Sequence, residues 1–284
     1  MKYAFMEQHR AEFSIGAMCK VFGVSRSGYG DWRKCERSSD TERLKLVRAI
    51  EEIHRSSRGT YGSPRIWRQL RALKYACSKS TVERLMRENG IRSKAKRKYQ
   101  ATTNSNHSMP VAPNRVARKF TAPAPNKLWM GDITYLWTQE GWLYLAVVLD
   151  AYSRQVVGLS MSERMTQQLV IDALDMAVGR QNPERGLVAH SDRGSQYASI
   201  AYQQRLWRYG MLCSMSCKGD CWDNAPTESF FHTLKTEHVF HETFATRAQA
   251  RASVFEWIEV FYNRQRMHST IGYQTPECYE KNCS

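Results

Sequence analysis

No apolar run in this chain of 284 residues approaches the roughly 20 residues of a membrane-spanning helix. The longest, around Leu143–Leu149, has the length of a strand. The opening Met1-Lys2-Tyr3-Ala4-Phe5 carries neither the apolar stretch nor the small-residue cleavage site of a secretory signal. None of the eight cysteines sits in a CxxC pair. In a chain able to bury a sizeable core they read as reduced thiols, not staples. These absences predict a soluble cytoplasmic protein with no membrane partner. Acidic residues are scarce in one half only. Residues 1–120 carry 27 basic and 10 acidic side chains, a surplus of +17, whereas residues 121–284 carry 15 and 17, giving −2. A hydrophobic content of 42% with 11% aromatics excludes a disordered polyelectrolyte. A near-neutral body with a strongly basic front points to a polyanion partner, nucleic acid first.

The front half reads as helical DNA-binding units. In residues 1–40, Ile15, Met18, Val21 and Phe22 mark one short helix. Gly23 makes a corner, and Ser25-Arg26-Ser27 opens a second helix that ends near Trp32. This is a helix-turn-helix pattern that presents Arg26 to a groove, although a hairpin that merely packs fits the same residues. Residues 41–100 form a second helical domain, with helices at 41–56, 64–75 behind Pro64, and 80–89 opening on Ser80. It ends in a run of five cations, Arg92, Lys94, Lys96, Arg97 and Lys98. Such runs are often only solvated; after a helical domain of this kind it reads as an arm on the DNA backbone. Residues 101–124, rich in Thr, Asn, Ser, Pro and Ala, read as a linker.

Beyond the linker the hydrophobic period changes from helix to strand. Trp129–Thr138 and Trp142–Tyr152 predict a hairpin turning at Gln139-Glu140-Gly141, with Arg154–Met161 as a third strand. A helix at Thr166–Val178, a strand at Leu187–His190, a helix at Gln196–Tyr209, a strand at Met211–Ser216 and helices near 225–236 and 246–263 follow. The order predicts an α/β fold over residues 125–284: a ribonuclease H-like core on a mixed five-stranded sheet, ending in a helical tail.

Three carboxylates stand out by position. Asp132 lies inside the first strand, where an ionised group is expensive to bury without a cation or donors. Asp192 directly follows the fourth strand, and Gly194 permits a tight turn behind it. Glu228 falls in the first turns of a helix capped by Asp223 or Asn224 and carrying Pro226, which aims it back at the sheet. Each alone reads equally well as a cap or ion-pair partner, and Asp150, at the end of the second strand, reads as a turn residue. Together, the three supply hard anionic oxygens suited to Mg²⁺ or Mn²⁺. Two such ions, about 3.5–4 Å apart, activate a nucleophile and stabilise the leaving oxygen of an in-line phosphoryl displacement.

Asp132 and Asp192 are separated by 59 residues, Asp192 and Glu228 by 35. That second spacing, with Gly-Asp-Ile-Thr-Tyr, His-Ser-Asp-Arg-Gly-Ser-Gln-Tyr and Asp-Asn-Ala-x-x-Glu-Ser-Phe-Phe, resembles bacterial insertion-sequence transposases of the DDE type. More narrowly, the chain is similar to the second-reading-frame products of the retroviral-integrase-like group. The tail Tyr262-Asn263-x-x-Arg266-x-His268-Ser269-x-Ile271-Gly272-Tyr273-x-x-Pro276 extends the match across almost the whole chain. The resemblance implies an integrase core with Asp132, Asp192 and Glu228 as catalytic and metal-holding residues, using two Mg²⁺ or Mn²⁺ ions. It implies cleavage and strand transfer at the element's terminal inverted repeats, with water or a DNA 3′-hydroxyl as nucleophile. It places a basic residue at Lys235, two helical turns beyond Glu228, in contact with the terminal nucleotides. It implies double-stranded DNA as element end and target, a homo-oligomer on DNA and a location at the nucleoid.

Two departures are visible. Gly30 stands where the family more often has an aromatic, and a second glycine lowers helix propensity by about 1 kcal/mol, so the recognition helix is expected to end early. No long leucine heptad is present, so a first-frame partner or fusion supplies dimerisation. Weaker signals have plainer readings. Cys213, Cys217 and Cys221 lack the close pair of a structural zinc site and read as buried thiols. His190, His232, His238 and His241 read as hydrogen-bonding neighbours rather than ligands, and Arg266 and His268 either touch DNA or pack on the core. Two competing functions remain: a non-enzymatic helix-turn-helix regulator, and a ribonuclease H-like nuclease.

Overall fold

The computed structural model describes residues 1–94, 112–216 and 221–282, omitting the side chains of 35–40 and 221–222. Lys96, Arg97, Lys98 and Cys217 lie outside the described residues. The chain divides into two compact units, residues 1–93 and 94–284.

The first unit is all helical: α1 (Lys2–Gln8), α2 (Ile15–Phe22), α3 (Arg26–Ser56), α4 (Ser63–Ala72) and α5 (Lys79–Glu88). Ser14 and Ser25 cap α2 and α3 by accepting from the Ala17 and Gly28 amides, and Gly23 ends α2 in the left-handed conformation with φ 62°. These are the start and stop signals of the predicted corner. Met6, Met18, Cys19 and Tyr29 bury themselves around it, with Trp32 packed alongside. One expectation fails. The recognition helix does not end near Trp32 but runs through Gly30 as the 31-residue α3. The penalty of one glycine is small against a helix anchored at its far end by buried Val47, Ile50 and Ile53. The expected break at residue 40 is therefore helix interior. Ser78, rather than Ser80, caps α5 through the Thr81 amide.

The second unit holds five strands: β1 (Leu128–Thr138), β2 (Gly141–Asp150), β3 (Val156–Ser162), β4 (Val188–Ser191) and β5 (Leu212–Met215). They form one sheet in the order β3-β2-β1-β4-β5. β1, β2 and β3 pair antiparallel, whereas β4 and β5 join in parallel. The helices are α6 (Gln167–Gln181), α7 (Ser195–Ala198), α8 (Ile200–Arg208), α9 (Ala225–Glu237), α10 (Arg247–Glu256) and α11 (Pro276–Lys281). β2 is buried on both faces. Ala146 and Val148 pack with Leu169, Leu174 and Ala177 of α6, while Leu143, Leu145 and Val147 meet Phe230, Leu234, Trp257 and Phe261. Gly158 lets α6 lie close on β3, since a Cβ there would fall 2.2 Å from the Ala173 carbonyl. The predicted helix at 246–263 changes pitch, α10 passing into a π-helical turn at Trp257–Tyr262. Beyond it, Asn263 hydrogen-bonds both the amide and the carbonyl of Val156, at 3.0 Å each.

The end of the expected linker is laid on the core. Val116 is buried with Leu128, Met130 and Ala151, and the Arg115 amide donates to Ser214 Oγ at 2.9 Å. Valine and phenylalanine at 116 and 120 find apolar partners that composition alone does not reveal.

Candidate active site

The parallel pairing of β1 with β4 sets the site. Gly131 is in register with Ser191, so Asp132 on β1 and Asp192 just past the end of β4 each directly follow the last pair of the parallel ladder. Asp192 turns away from β4 with its Oδ1 accepting from the Gly194 amide at 2.9 Å. Asp132 Oδ1 accepts from the Ile133 amide at 2.8 Å. Tyr197 packs flat enough on Gly131 that a Cβ there would sit 3.2 Å from its ring, which accounts for the glycine before the aspartate. The tyrosine feels both aspartates, and its hydroxyl is pushed well up, by burial first and then by Tyr202, Asp132 and Asp192.

Glu228 arrives on α9, in its first turn. The side-chain Nδ2 of buried Asn224, just before the helix, donates to the Gly131 carbonyl at 3.3 Å and ties the start of α9 to β1 beside Asp132. Asn224 Oδ1 is buried and has no hydrogen-bond partner among the described residues. Sequence reasoning treated Asn224 and Asp223 only as alternative caps. Neither side chain caps α9; Asp223 is buried, accepts from Asn114 at 2.9 Å and pairs with Arg118 at 3.5 Å.

Asp132 keeps partial exposure, yet protein surrounds it so densely that its carboxyl is pushed well above the usual range. Burial is the main cause, Asp192 and Glu228 add to it, and the Ile133 amide and Lys235 oppose it. Burial also raises Glu228. Lys235 is itself buried, with Nζ 4.9 Å from the centre of the Tyr135 ring. Desolvation pushes its ammonium down to about 8, against the pull of Asp132. Among the described residues no three Asp, Glu, His or Cys side chains already converge in the geometry of a metal site. Asp192 and Glu228 are nonetheless both within electrostatic reach of Asp132, and Lys235 opposes the charge that Asp132 develops on ionising. A hard divalent cation would relieve both the burial and the mutual repulsion, and oxygen-only donors match its preference, so these residues fit such an ion.

The neighbours behave as expected of hydrogen-bonding partners. His190 is buried between Ser214 Oγ and the Asp223 carbonyl, at 2.9 Å each, and burial lowers its pKa. His238 meets Ser253, and His241 meets the Thr236 carbonyl. Asp150 takes three hydrogen bonds from Ser153 and Tyr152 and a fourth from the Asn126 amide, as a turn residue should. Cys213 is partly buried and accepts from Gln203.

The basic residues divide. Arg26 and Arg92 are exposed, the former at the start of α3, and Lys94 Nζ donates to the Glu237 carbonyl at 3.3 Å. Of its two readings, Arg266 takes the packed one. It is 4% exposed and grips Glu237 with two hydrogen bonds of 2.7 Å, so its guanidinium is consumed inside the fold and is not offered to DNA. The motif around it carries no signal that separates a buried pair from a DNA contact.

Comparison with known proteins agrees with this architecture. Residues 122–221 and 209–276 match integrase core domains, and residues 41–99 match an HTH-like domain. The chain is 47% identical over 285 aligned positions to the transposase InsF of insertion sequence IS3A from Escherichia coli K12, covering 99% of this chain and 98% of the relative. It is equally identical over 267 positions to a 31 kDa protein of insertion element IS600 from Shigella sonnei, covering 93% and 97%. A more distant likeness joins it to the HTLV-2 integrase catalytic core domain solved with magnesium. There the identity is 18%, the coverage 56% of this chain and 97% of that one, and the TM-score 0.43.

Proposed function

The chain belongs to the insertion-sequence transposases, and from that premise we propose that it cuts and joins DNA at its element's terminal inverted repeats with Asp132, Asp192 and Glu228. The observation that carries this reading is the β1–β4 register, which sets two aspartates side by side, with α9 pinned to the same strand by Asn224. These carboxylates would hold Mg²⁺ or Mn²⁺, two ions in the full site. When bound, such ions activate the attacking oxygen and stabilise the leaving one.

The residues themselves do the positioning. Asn224 and Tyr197 both hold Gly131, the residue before Asp132, and Gly194 fixes the Asp192 carboxylate by its amide. Lys235 brings a cation that acts on Asp132 and meets the terminal nucleotides. The attacking group is water for nicking and a DNA 3′-hydroxyl for joining. No serine or tyrosine nucleophile is needed. Arg26, Arg92, Lys94, Lys96, Arg97 and Lys98 contact DNA outside the reacting bonds, in a homo-oligomer at the nucleoid with a first-frame partner or fusion.

Purified protein with Mg²⁺ and its own element ends tests the reading. Asp132→Ala, Asp192→Ala and Glu228→Ala should each lower cleavage and strand transfer by at least about 10³-fold, the scale on which removing transition-state stabilisation acts. A regulator would be indifferent to all three, and a hybrid-specific nuclease would cut without transferring strands to a target duplex. Cleavage that survives the triple substitution sinks the assignment.

A further inference from the structure

We propose that the far half of the β1–β2 hairpin is a base-stacking platform that receives unpaired nucleotides at the processed DNA end. This inference rests on the transposase reading of the neighbouring carboxylates.

The pairing of β1 with β4 stops at Gly131, so β1 runs on from Asp132 to Thr138 with only β2 beside it among the described strands. Strand alternation then puts Tyr135 and Trp137 on one face, and Trp142 lies directly across from Trp137. The three rings form one cluster. Trp142 meets Tyr135 at 5.0 Å and 82°, and Trp137 at 4.8 Å and 74°. They remain 38%, 60% and 44% exposed for Tyr135, Trp137 and Trp142. Three neighbouring aromatics on a hairpin tip are a liability unless something covers them.

The charge beside them selects the occupant. The rings line a cleft of about 630 Å³ together with Phe240, Glu242 and Lys235, a volume typical of ligand-binding pockets. Lys235 joins the cleft to the acidic site, because its ammonium lies over Tyr135 and acts on Asp132. Aromatic faces with a cation that tracks a phosphate backbone are the chemistry of single-stranded nucleic acid binding, and every base offers a face to stack. Tyr135 is three residues beyond Asp132, about 10 Å at ~3.3 Å per strand residue; alternation turns the two side chains to opposite faces of β1, and Lys235, which lies over one and acts on the other, links them. Terminal nucleotides that leave the duplex would pass Lys235 and stack on these rings.

The test uses full-length protein in EDTA with two forms of the element's terminal repeat. One is fully paired; the other carries three unpaired terminal nucleotides with 2-aminopurine among them. Wild type should quench 2-aminopurine on binding and prefer the frayed end. The double substitution Trp137→Ala, Trp142→Ala should abolish quenching and reduce that preference about 10- to 30-fold, whereas the Phe, Phe pair should retain both. Quenching and preference unchanged in the Ala, Ala protein overturn the platform. So does loss of self-association by light scattering with the preference intact, which would make the cleft a protein interface. Asp132→Asn separates the two readings. It should quench like wild type and fail to cut with Mg²⁺, and cutting by this variant would fault the catalytic assignment while leaving the quenching result to judge the platform.

Discussion

The fold around Asp132 disfavours its ionised form. Burial and two neighbouring carboxylates raise its pKa, so ionisation penalises the folded state. That penalty is absent below the ordinary carboxylate range, grows as pH rises, and is complete above the raised folded value. Asp132→Asn should therefore raise the metal-free melting temperature at neutral pH by about 2–4 °C, the shift that ~1 kcal/mol produces in a domain of this size. Added Mg²⁺ should raise the melting temperature of wild type and not of the variant; calorimetry with and without EDTA checks both. Lys235 gives a second residue-scale expectation. Its ammonium is pushed down to about 8, so it is charged at pH 7 and largely neutral at pH 9. Affinity for the element end should fall across that interval in wild type. In Lys235→Gln it should be weaker at pH 7 and flat thereafter, which fluorescence anisotropy in EDTA would show.

At the scale of elements, the tail is a brace on α9, the helix that carries Glu228. Arg266, beyond α10, locks onto Glu237 at the end of α9 with both partners nearly buried. Removing one member of a buried pair leaves the other charge uncompensated, typically at about 3–5 kcal/mol. Arg266→Met should lower stability by that order in denaturant titration while leaving affinity for DNA unchanged, and Glu237→Gln in the same chain should restore part of the loss. A drop in DNA affinity with stability intact would return Arg266 to the DNA-contact role that sequence reading had left open. The same scale explains why helices were legible and their ends were not. Apolar spacing located α4, α5, α6 and α9 within a few residues. The continuity of α3 across residue 40 depends on contacts made by its two ends, which no local window contains.

For the whole molecule, the dividing line changes where the charge belongs. The compact unit of residues 1–93 carries 20 basic and 10 acidic side chains, +10, and residues 94–284 carry 22 and 17, +5. The catalytic unit is thus cationic once the segment that leads into it is counted, and it need not wait for metal to attract DNA. A fragment of residues 1–120 should bind the element ends without metal and lose affinity steeply with salt. Replacing the five cations of residues 92–98 by Gln should reduce the slope of log K against log salt by about 4–5, at roughly 0.9 per phosphate contact. A fragment that fails to bind at low salt, or a slope untouched by the replacement, would contradict this division.

The chain by itself determined the order of the five strands and the main helices between them, the mixed sheet and the identity of three carboxylates worth placing together; it did not show α1, α11 or the break between α7 and α8. Period-2 and period-3.6 patterns are local, and an aspartate in an apolar strand is conspicuous wherever it occurs. Only the tertiary structure decided which strand would lie beside β1, and hence that Asp192 would meet Asp132 while Asp150 would serve a turn. Only it showed that Asn224 ties α9 to β1, that Arg266 faces inward, and that Tyr135, Trp137 and Trp142 share one exposed face. Strand pairing, helix docking and burial join residues far apart in the chain, and the free energy that selects one pairing over another resides in those distant contacts rather than in any local run of residues.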